Sequence, residues 1–310
     1  MLETLLMVTV LSQNLEKTES AYEQYLGYEL VERGKISEPL AKSWGAKNVA
    51  GRNYLVMQPE SNKQVFLRFI EDKHKTDYKP MRQEGWNAIE ILVQNPDLLA
   101  EQLKDSPFKL IRPPRFLTKK RNILAFQAQG PNNELLYFTR VIDPAKSSFN
   151  LGVADSFVDN VFIMVLGGTN MAGMKGFYRE QLKVPVSGPY PYRIGVLSEA
   201  YNLPEETIHS LAIAELKEQF LIEIDQYPDN AKTIDINTDE LPAGIAMVSF
   251  GVKNLNQITA PFISPPTTQK SNAYQGRRSA SIRGAAGELI ELVEMSAPLF
   301  PALPIDSVKN

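Results

Sequence analysis

Cysteine is absent from this chain, and histidine occurs only twice, as His74 and His209. The lack of cysteine excludes disulfides, thiolate nucleophiles and zinc–thiolate sites. No segment approaches the roughly 18 apolar residues that a membrane span requires. The apolar amino terminus carries Glu3 and has no basic leader, so it is predicted to form a buried strand and not a signal peptide. We therefore expect a soluble, cytoplasmic protein.

An excess of charge of either sign is missing as well. The 310 residues include 33 basic and 36 acidic ones, which gives a net charge of -3, and the two signs are interspersed. This balance offers no electrostatic footprint for nucleic acid or for an anionic membrane surface. The partner that we expect is a small organic ligand, and both a monomer and a homodimer remain open.

The first 71 residues have the pattern of a βαβββ module. An apolar, β-branched strand over 5–11 leads to Asn14, a typical helix N-cap residue. Apolar residues at helical spacing then predict a helix that ends at Gly27. Three strand-like stretches follow, and turn-like connections separate them. They cover residues 28–33, 53–58 and 64–71.

The same order returns three times, which is a strong architectural signal. The later modules open at 86–93, 160–166 and 244–252 and close at 134–140, 219–225 and 288–294. The fourth module retains only a few helical residues after Asn254. We therefore predict an α+β fold of four βαβββ modules in two tandem curved-sheet domains. An unrelated pair of α+β domains remains the alternative.

Similar segments recur between alternate modules. Tyr22–Leu26 matches Tyr178–Leu182, and Gly130–Phe138 matches Gly284–Leu292. This indicates a duplicated pair of modules. The small and polar stretch at 144–155 is the natural joint, so the predicted domains are 1–148, with modules one and two, and 149–310, with modules three and four.

The opening Met7–Glu16, followed by Ala21–Tyr28, resembles the start of vicinal oxygen chelate proteins. These include glyoxalases, bleomycin-resistance proteins and extradiol dioxygenases. Gly284–Leu292 resembles their closing strand. The resemblance covers nearly the whole chain, in loose patterns that are specific for fold and weak for function. It implies that each pair of modules curves around a cleft, where histidines on first strands and glutamates on last strands hold a divalent metal.

The histidines are not at those positions in this chain. The first-strand positions fall on Met7, near Ala88, on Asn160 or Ile163, and on Met247, and the last-strand positions fall on Arg68, Tyr137, Glu223 and Glu291. We therefore expect no metal and no cofactor. Strand alternation is expected to direct Glu223 and Glu291 into one second cleft. There a second carboxylate and burial would raise one pKa, so that either residue would be the catalytic base.

Six further residues are candidate ligand contacts, and each has a structural alternative. Arg68 would clamp an anionic group or pair with a nearby acid such as Glu71. Tyr137 and Met247 would contact the ligand or fill the space of the absent metal. Tyr190 and Tyr192 would form an aromatic lid or cover a sheet edge. His209 would act as an acid or base or be a structural histidine. The segment 260–276 is a second candidate lid.

Three functions follow as hypotheses. The first is a metal-free protein of the glyoxalase, bleomycin-resistance and dioxygenase type that holds a small, partly apolar molecule and performs carboxylate acid/base catalysis as an isomerase or lyase. The second is binding or sequestration without turnover. The third is a divalent-metal lyase or dioxygenase with carboxylate ligands.

Overall fold

The computed structural model describes residues 2–72, 74, 78–236 and 238–295, and it contains the four predicted modules. Module one comprises β1 (Leu2–Ser12), α1 (Leu15–Leu26), β2 (Tyr28–Lys35), α2 (Glu38–Ser43), β3 (Asn53–Pro59) and β4 (Phe66–Glu71). Module two comprises β5 (Gly85–Val93), α3 (Pro96–Gln102), β6 (Lys109–Phe116), β7 (Ile123–Gln129) and β8 (Leu135–Val141). The predicted α+β class is confirmed.

Module three comprises β9 (Val158–Gly168), α4 (Met171–Gly176), β10 (Val186–Tyr192), α5 (Gly195–Ala200), β11 (His209–Glu215) and β12 (Leu221–Gln226). A single π-helical turn, Phe177–Gln181, extends α4. Module four comprises β13 (Ile245–Val252), β14 (Thr267–Thr268), β15 (Arg278–Arg283) and β16 (Leu289–Glu294). Its helix is reduced to the 3-10 turn Leu255–Gln257, as expected. No described helix is long and apolar enough to cross a bilayer.

The predicted ends of α1 are confirmed in atomic detail. The Asn14 side chain accepts a hydrogen bond from the Lys17 backbone N–H at 2.9 Å, which satisfies one of the free donors of the first turn. Gly27 ends the helix at φ 65°, a left-handed conformation that glycine adopts without steric cost. The helix therefore begins and ends where its sequence specifies.

The strands form two eight-stranded sheets, but not the sheets expected from the repeat. The first sheet has the order β14-β15-β16-β13-β1-β4-β3-β2, and the second has the order β10-β11-β12-β9-β5-β8-β7-β6. Module one therefore pairs with module four, and module two pairs with module three. The expectation that consecutive modules share a cleft is wrong. The first strand of each module pairs in parallel with the last strand of the same module, so the other edge of the first strand stays free. At these free edges, β1 pairs with β13 and β5 pairs with β9.

Consecutive modules contact each other through helices. The Tyr22 hydroxyl of α1 donates to Glu134 of module two at 2.7 Å, and the Tyr178 hydroxyl donates to Glu288 of module four at 3.0 Å. These two bonds are equivalent in the repeat. The boundary at 148/149 stays a prediction about the duplication in the sequence, because the hydrogen-bonded sheets cross it.

Alternation along the strands divides their side chains between a shared core and two concave faces. In β1, Val8 and Val10 belong to the large core to which both sheets contribute, whereas Leu11 belongs to a separate cluster on the other face. The rings of Trp86 from β5 and Phe250 from β13 lie 6.1 Å apart and join the two sheets. The concave faces are therefore the candidate sites.

Candidate functional site

The first cleft is the concave face of the sheet that contains β1 and β13, and side chains fill it. Trp44, which follows α2, and Tyr274, from the segment before β15, are both buried there. The Arg68 guanidinium lies 4.6 Å from the centre of the Trp44 ring. Met247 is completely buried in the same apolar cluster. The predicted lid 260–276 thus contributes a side chain that occupies this cleft.

The charged groups at the centre of the first cleft all have partners within the protein, whereas the buried hydroxyl of Ser281, opposite Glu291 on β15, has none among the described residues. Arg68 donates to Thr9 Oγ1 at 2.8 and 3.0 Å and to the Tyr274 hydroxyl at 2.7 Å. Glu291 accepts from Trp44 Nε1 at 2.9 Å, from Ser249 Oγ at 2.6 Å and from the Tyr274 hydroxyl at 2.8 Å.

Arg68 Nη2 and Glu291 Oε2 lie 3.7 Å apart, and neither residue is more than 1% exposed. Such a buried pair is tolerated because hydrogen bonds compensate both charges. Arg68 pairs with Glu291 and not with Glu71, the acid named from the sequence.

The second cleft is the concave face of the sheet that contains β5 and β9, and it holds a cavity of about 700 Å³. This volume is suitable for a small organic molecule. Much of the wall is apolar and comes from strands of both modules and from the segments around them. These apolar residues are Leu117, Ile123, Phe149, Leu151, Phe162, Ile163, Ile194, Val196, Leu211, Ile213 and Leu221.

Two glutamates of the second sheet present carboxyl groups to this cavity. Glu90 lies on β5 and Glu223 on β12, with the single strand β9 between them. Burial raises the pKa of Glu223 to about 7. Burial and the nearby charge of Glu223 raise the pKa of Glu90 to about 8, although a hydrogen bond from Thr139 at 3.2 Å opposes the rise. The pair therefore holds a proton near neutral pH.

Asp225 lies two residues beyond Glu223 on the same face of β12. It is completely buried, and neither of its carboxyl oxygens has a hydrogen-bond partner in the part of the chain described. Burial, followed by the charges of Glu223 and Glu90, raises its pKa well above the usual range. Asp225 therefore holds its proton more tightly than an exposed aspartate does.

Neutral polar side chains complete the floor of the cavity. Gln127 and Tyr137 are direct neighbours on β7 and β8, and Glu90 is the neighbour of Tyr137 on β5. The Gln127 side chain is 2% exposed, and its Oε1 has no hydrogen-bond partner among the described residues. A buried polar atom without a partner costs free energy unless a ligand or water satisfies it. Tyr137, predicted as a ligand contact, lies on this floor.

Two tyrosines of β10 cover the cavity, at the place where the sequence predicts an aromatic lid. Tyr190 and Tyr192 line the cavity and are 44% and 38% exposed. The Tyr192 hydroxyl donates to the Leu117 carbonyl oxygen at 3.1 Å and so joins module three to module two across the opening.

The predicted contact His209 is the first residue of β11 and contacts α5. Its Nε2 is 2.8 Å from Ser198 Oγ on α5, and the ring is 7% exposed. Burial lowers the pKa of His209, so the ring is neutral at pH 7. His209 does not line the cavity, and this position agrees with its structural alternative.

The strand register explains why Glu90 was missed. In modules one, two and four, the residue directly opposite the predicted last-strand position lies two places beyond the one assigned from the sequence. These opposite pairs are Thr9 with Arg68, Glu90 with Tyr137, and Ser249 with Glu291. A two-residue shift preserves the face of a strand, so alternation did not reveal it. A lone glutamate within the apolar run 88–93 was the available signal.

The expectation that Glu223 and Glu291 lie in one cleft is also wrong, because they belong to different sheets. The donor sets present do not fit a divalent metal centre. In the first cleft, the positively charged guanidinium of Arg68 lies beside Glu291, where a cation would have to bind. Within the described ranges, no group of three or more histidine, aspartate or glutamate side chains is arranged to hold a metal.

Solved structures with this architecture are known. Glyoxalase I from Zea mays superposes with a TM-score of 0.61 and 14% identity over 94% of this chain and 92% of that one. A putative dioxygenase from Bacillus subtilis gives a TM-score of 0.57 and 10% identity over 96% and 87%. A scan against protein-family models and a search of curated proteins gave no match. At these identities the likeness establishes the fold, which is the vicinal oxygen chelate fold that the sequence resembles.

Proposed function

We propose that this chain, which has the fold of glyoxalase I, holds a small, partly apolar organic molecule in its second cleft and acts on it by proton transfer without a metal. The observation that carries the proposal is the pair of glutamate carboxyls, of buried Glu90 and half-buried Glu223, which open onto an apolar cavity of about 700 Å³. The unpartnered Gln127 oxygen supports it, because a polar group of a ligand would satisfy that atom.

The two carboxyls have complementary roles in this reaction. Ionised Glu223 removes a proton from a carbon beside a carbonyl, and the electron pair of the broken C–H bond moves into the enolate. Protonated Glu90 donates a hydrogen bond to the carbonyl oxygen, where negative charge develops. Return of the proton to the same carbon gives exchange or racemisation, and in a substrate with a neighbouring C=C bond its return to the far carbon of the dienolate completes an isomerisation. The base role stays with Glu223, because the oxygens of Glu291 are occupied in the first cleft.

Hydrogen exchange tests the reaction before the natural substrate is identified. A panel of aryl ketones and α-keto acids is incubated with the protein in deuterium oxide, and exchange at the carbon beside the carbonyl is followed by NMR. Glu223→Gln is expected to slow exchange by about 100-fold or more, whereas the exposed control Glu60→Gln leaves it unchanged. Equal exchange in the wild type and in Glu223→Gln would contradict the catalytic role.

The rate should depend on pH in a bell shape, because the active form of the pair carries one proton. Its maximum is expected between the two raised pKa values, about 7 for Glu223 and about 8 for Glu90. Glu90→Gln should remove the alkaline limb, since the amide cannot lose that proton. A profile with no limb between pH 6 and 9 would overturn this assignment.

Binding is measured separately from turnover. The neutral fluorophore N-phenyl-1-naphthylamine should bind to the wild type, and Ser187→Trp, which places a large ring in the cavity from the half-buried edge strand β10, should abolish binding. Binding without exchange of any panel member would favour the second function, sequestration without turnover. Absence of binding to the wild type would remove the proposal as a whole.

A further inference from the structure

Building on the proposed function, we infer that the ligand of the second cleft is an amphipathic organic anion. Its apolar body lies in the cavity, and its acidic group, a carboxylate, sulfonate or phosphate, binds to a ring of basic side chains at the opening. This ring, the basic rim, consists of Arg115, Lys119, Lys120, Lys146 and Arg193, all of which line the cavity and belong to exposed positions.

The basic rim arises from an unusual stretch of the chain. The chain as a whole has a net charge of -3, yet residues 109–121 contain six basic residues and no acidic one. This stretch forms β6 and the turn that leads to β7. Because β6 is the edge strand of its sheet, the positive charge is concentrated at one side of the second cleft. The first sheet has no comparable segment in its edge strand β2, where Glu29, Glu32, Arg33 and Lys35 mix both signs.

Acidic side chains compensate the basic rim only in part. Arg115 has Glu205 at 3.7 Å, and Lys146 has Asp143 at 2.8 Å. Lys120 donates to the backbone oxygen of Lys146 at 3.1 Å, which neutralises no charge. Lys119 has no ion pair in the part of the chain described. Apart from the carboxyl pair on the floor, the cavity is lined by one acidic residue, Glu215, against five basic ones.

The charges at the floor and at the opening of the cavity determine the orientation of the bound ligand. The floor holds carboxyl groups that retain protons near neutral pH, and an anion placed against them would lose its hydration without a counter-charge. The opening carries cations in contact with solvent, which attract an anion at little desolvation cost. An anionic group therefore lies at the opening, and the group that undergoes proton transfer lies near Glu90 and Glu223.

Two fluorophores of nearly equal shape test this inference. 1-Anilinonaphthalene-8-sulfonate carries the sulfonate that N-phenyl-1-naphthylamine lacks. In the variant Arg115→Gln/Lys119→Gln/Lys120→Gln, the affinity for the sulfonate is expected to fall roughly tenfold, while the affinity for the neutral probe changes less than about twofold. Added salt should weaken only sulfonate binding, because it screens exposed charges.

The matched control is Lys17→Gln/Lys42→Gln/Lys253→Gln, which removes the same charge at exposed positions away from the second cleft. It should leave both affinities unchanged, and Ser187→Trp should abolish binding of both probes. If the wild type binds both probes equally, or if the two triple variants weaken the sulfonate alike, the basic rim does not select the ligand, although the proposed function stands. If neither probe binds to the wild type, the proposed function itself fails.

Discussion

The two concave faces of this protein have the same strand order but opposite contents. In the first cleft, Trp44 and Tyr274 occupy the space, and Arg68 and Glu291 satisfy each other and their neighbours. In the second cleft, the side chains surround a cavity of about 700 Å³, and Gln127 has an oxygen without a partner among the residues that the structure describes. A filled face whose charged groups are paired indicates a structural core, and an unpartnered polar group beside a cavity indicates a binding site.

The difference originates in the connections between strands. In module one, the long connection between β2 and β3 contains α2 and delivers Trp44 to the concave face. In module two, β6 and β7 are joined by a short polar turn over 117–122, which stays at the opening. Two sheets of the same strand order thus become a closed and an open face through the connections between their strands. Such loops differ more freely than the strands that carry them.

The largest effect is expected where the closed cleft loses one charge of its ion pair. Arg68→Met leaves Glu291 buried without its cation and should lower the free energy of unfolding by about 3–5 kcal/mol. Arg115→Met in the basic rim of the open cleft should change it by less than about 0.5 kcal/mol. Both are measured by chemical denaturation. Recovery of stability in Arg68→Met/Glu291→Leu would confirm the cause, and a loss below about 1 kcal/mol in Arg68→Met would refute it.

A smaller effect is expected from emptying the closed cleft. Trp44→Ala should cost about 3 kcal/mol, because it removes a buried ring and leaves a cavity. The new cavity should bind a second molecule of N-phenyl-1-naphthylamine, which a titration of bound probe per chain detects. Tyr192→Ala, the matched change in the open cleft, should cost less than about 1 kcal/mol because that side chain is partly exposed and leaves no closed cavity. An unchanged stoichiometry in Trp44→Ala would show that the first cleft closes again.

The smallest effect is a pH dependence of stability that originates in the open cleft. The pKa values of Glu90 and Glu223 rise on folding from the ordinary value of 4.5, so the folded state binds more protons and the free energy of unfolding falls as the pH rises from about 4.5 to about 8. Glu90→Gln/Glu223→Gln should reduce this fall by at least about 1 kcal/mol, because one unit of pKa shift corresponds to about 1.4 kcal/mol and partial exposure of Glu223 lowers its share. Denaturation at pH 5 and pH 8 measures it, with Glu60→Gln as the control. Equal slopes in all three proteins would contradict the raised pKa values.

Glu134 and Glu288 contribute a dependence of the same sign in every variant. Burial raises the pKa of each to about 7, while hydrogen bonds from Tyr22 and Tyr178 limit the rise. These residues link consecutive modules and do not line the cavity. The comparison between variants therefore isolates the part of the pH dependence of stability that originates in the second cleft.

The order of the amino acids specifies the four modules and their faces. Asn14 and Gly27 define the ends of α1, and alternation places Glu223 and Glu291 on concave faces. The register of β5 could not be predicted from alternation, because Ala88 and Glu90 lie on the same face of the strand. Only the pairing with β8 makes Glu90 the neighbour of Tyr137.

Which modules share a sheet, and which cleft is open, is decided only in the folded chain. Each first strand exposes one free edge with the same backbone groups, so local sequence does not distinguish β13 from β5 as the partner of β1. The insertion of Trp44 and Tyr274 into one cleft likewise joins residues more than 200 positions apart, and each contributes apolar surface that any concave face would bury. The sites therefore follow from contacts that form after the modules assemble.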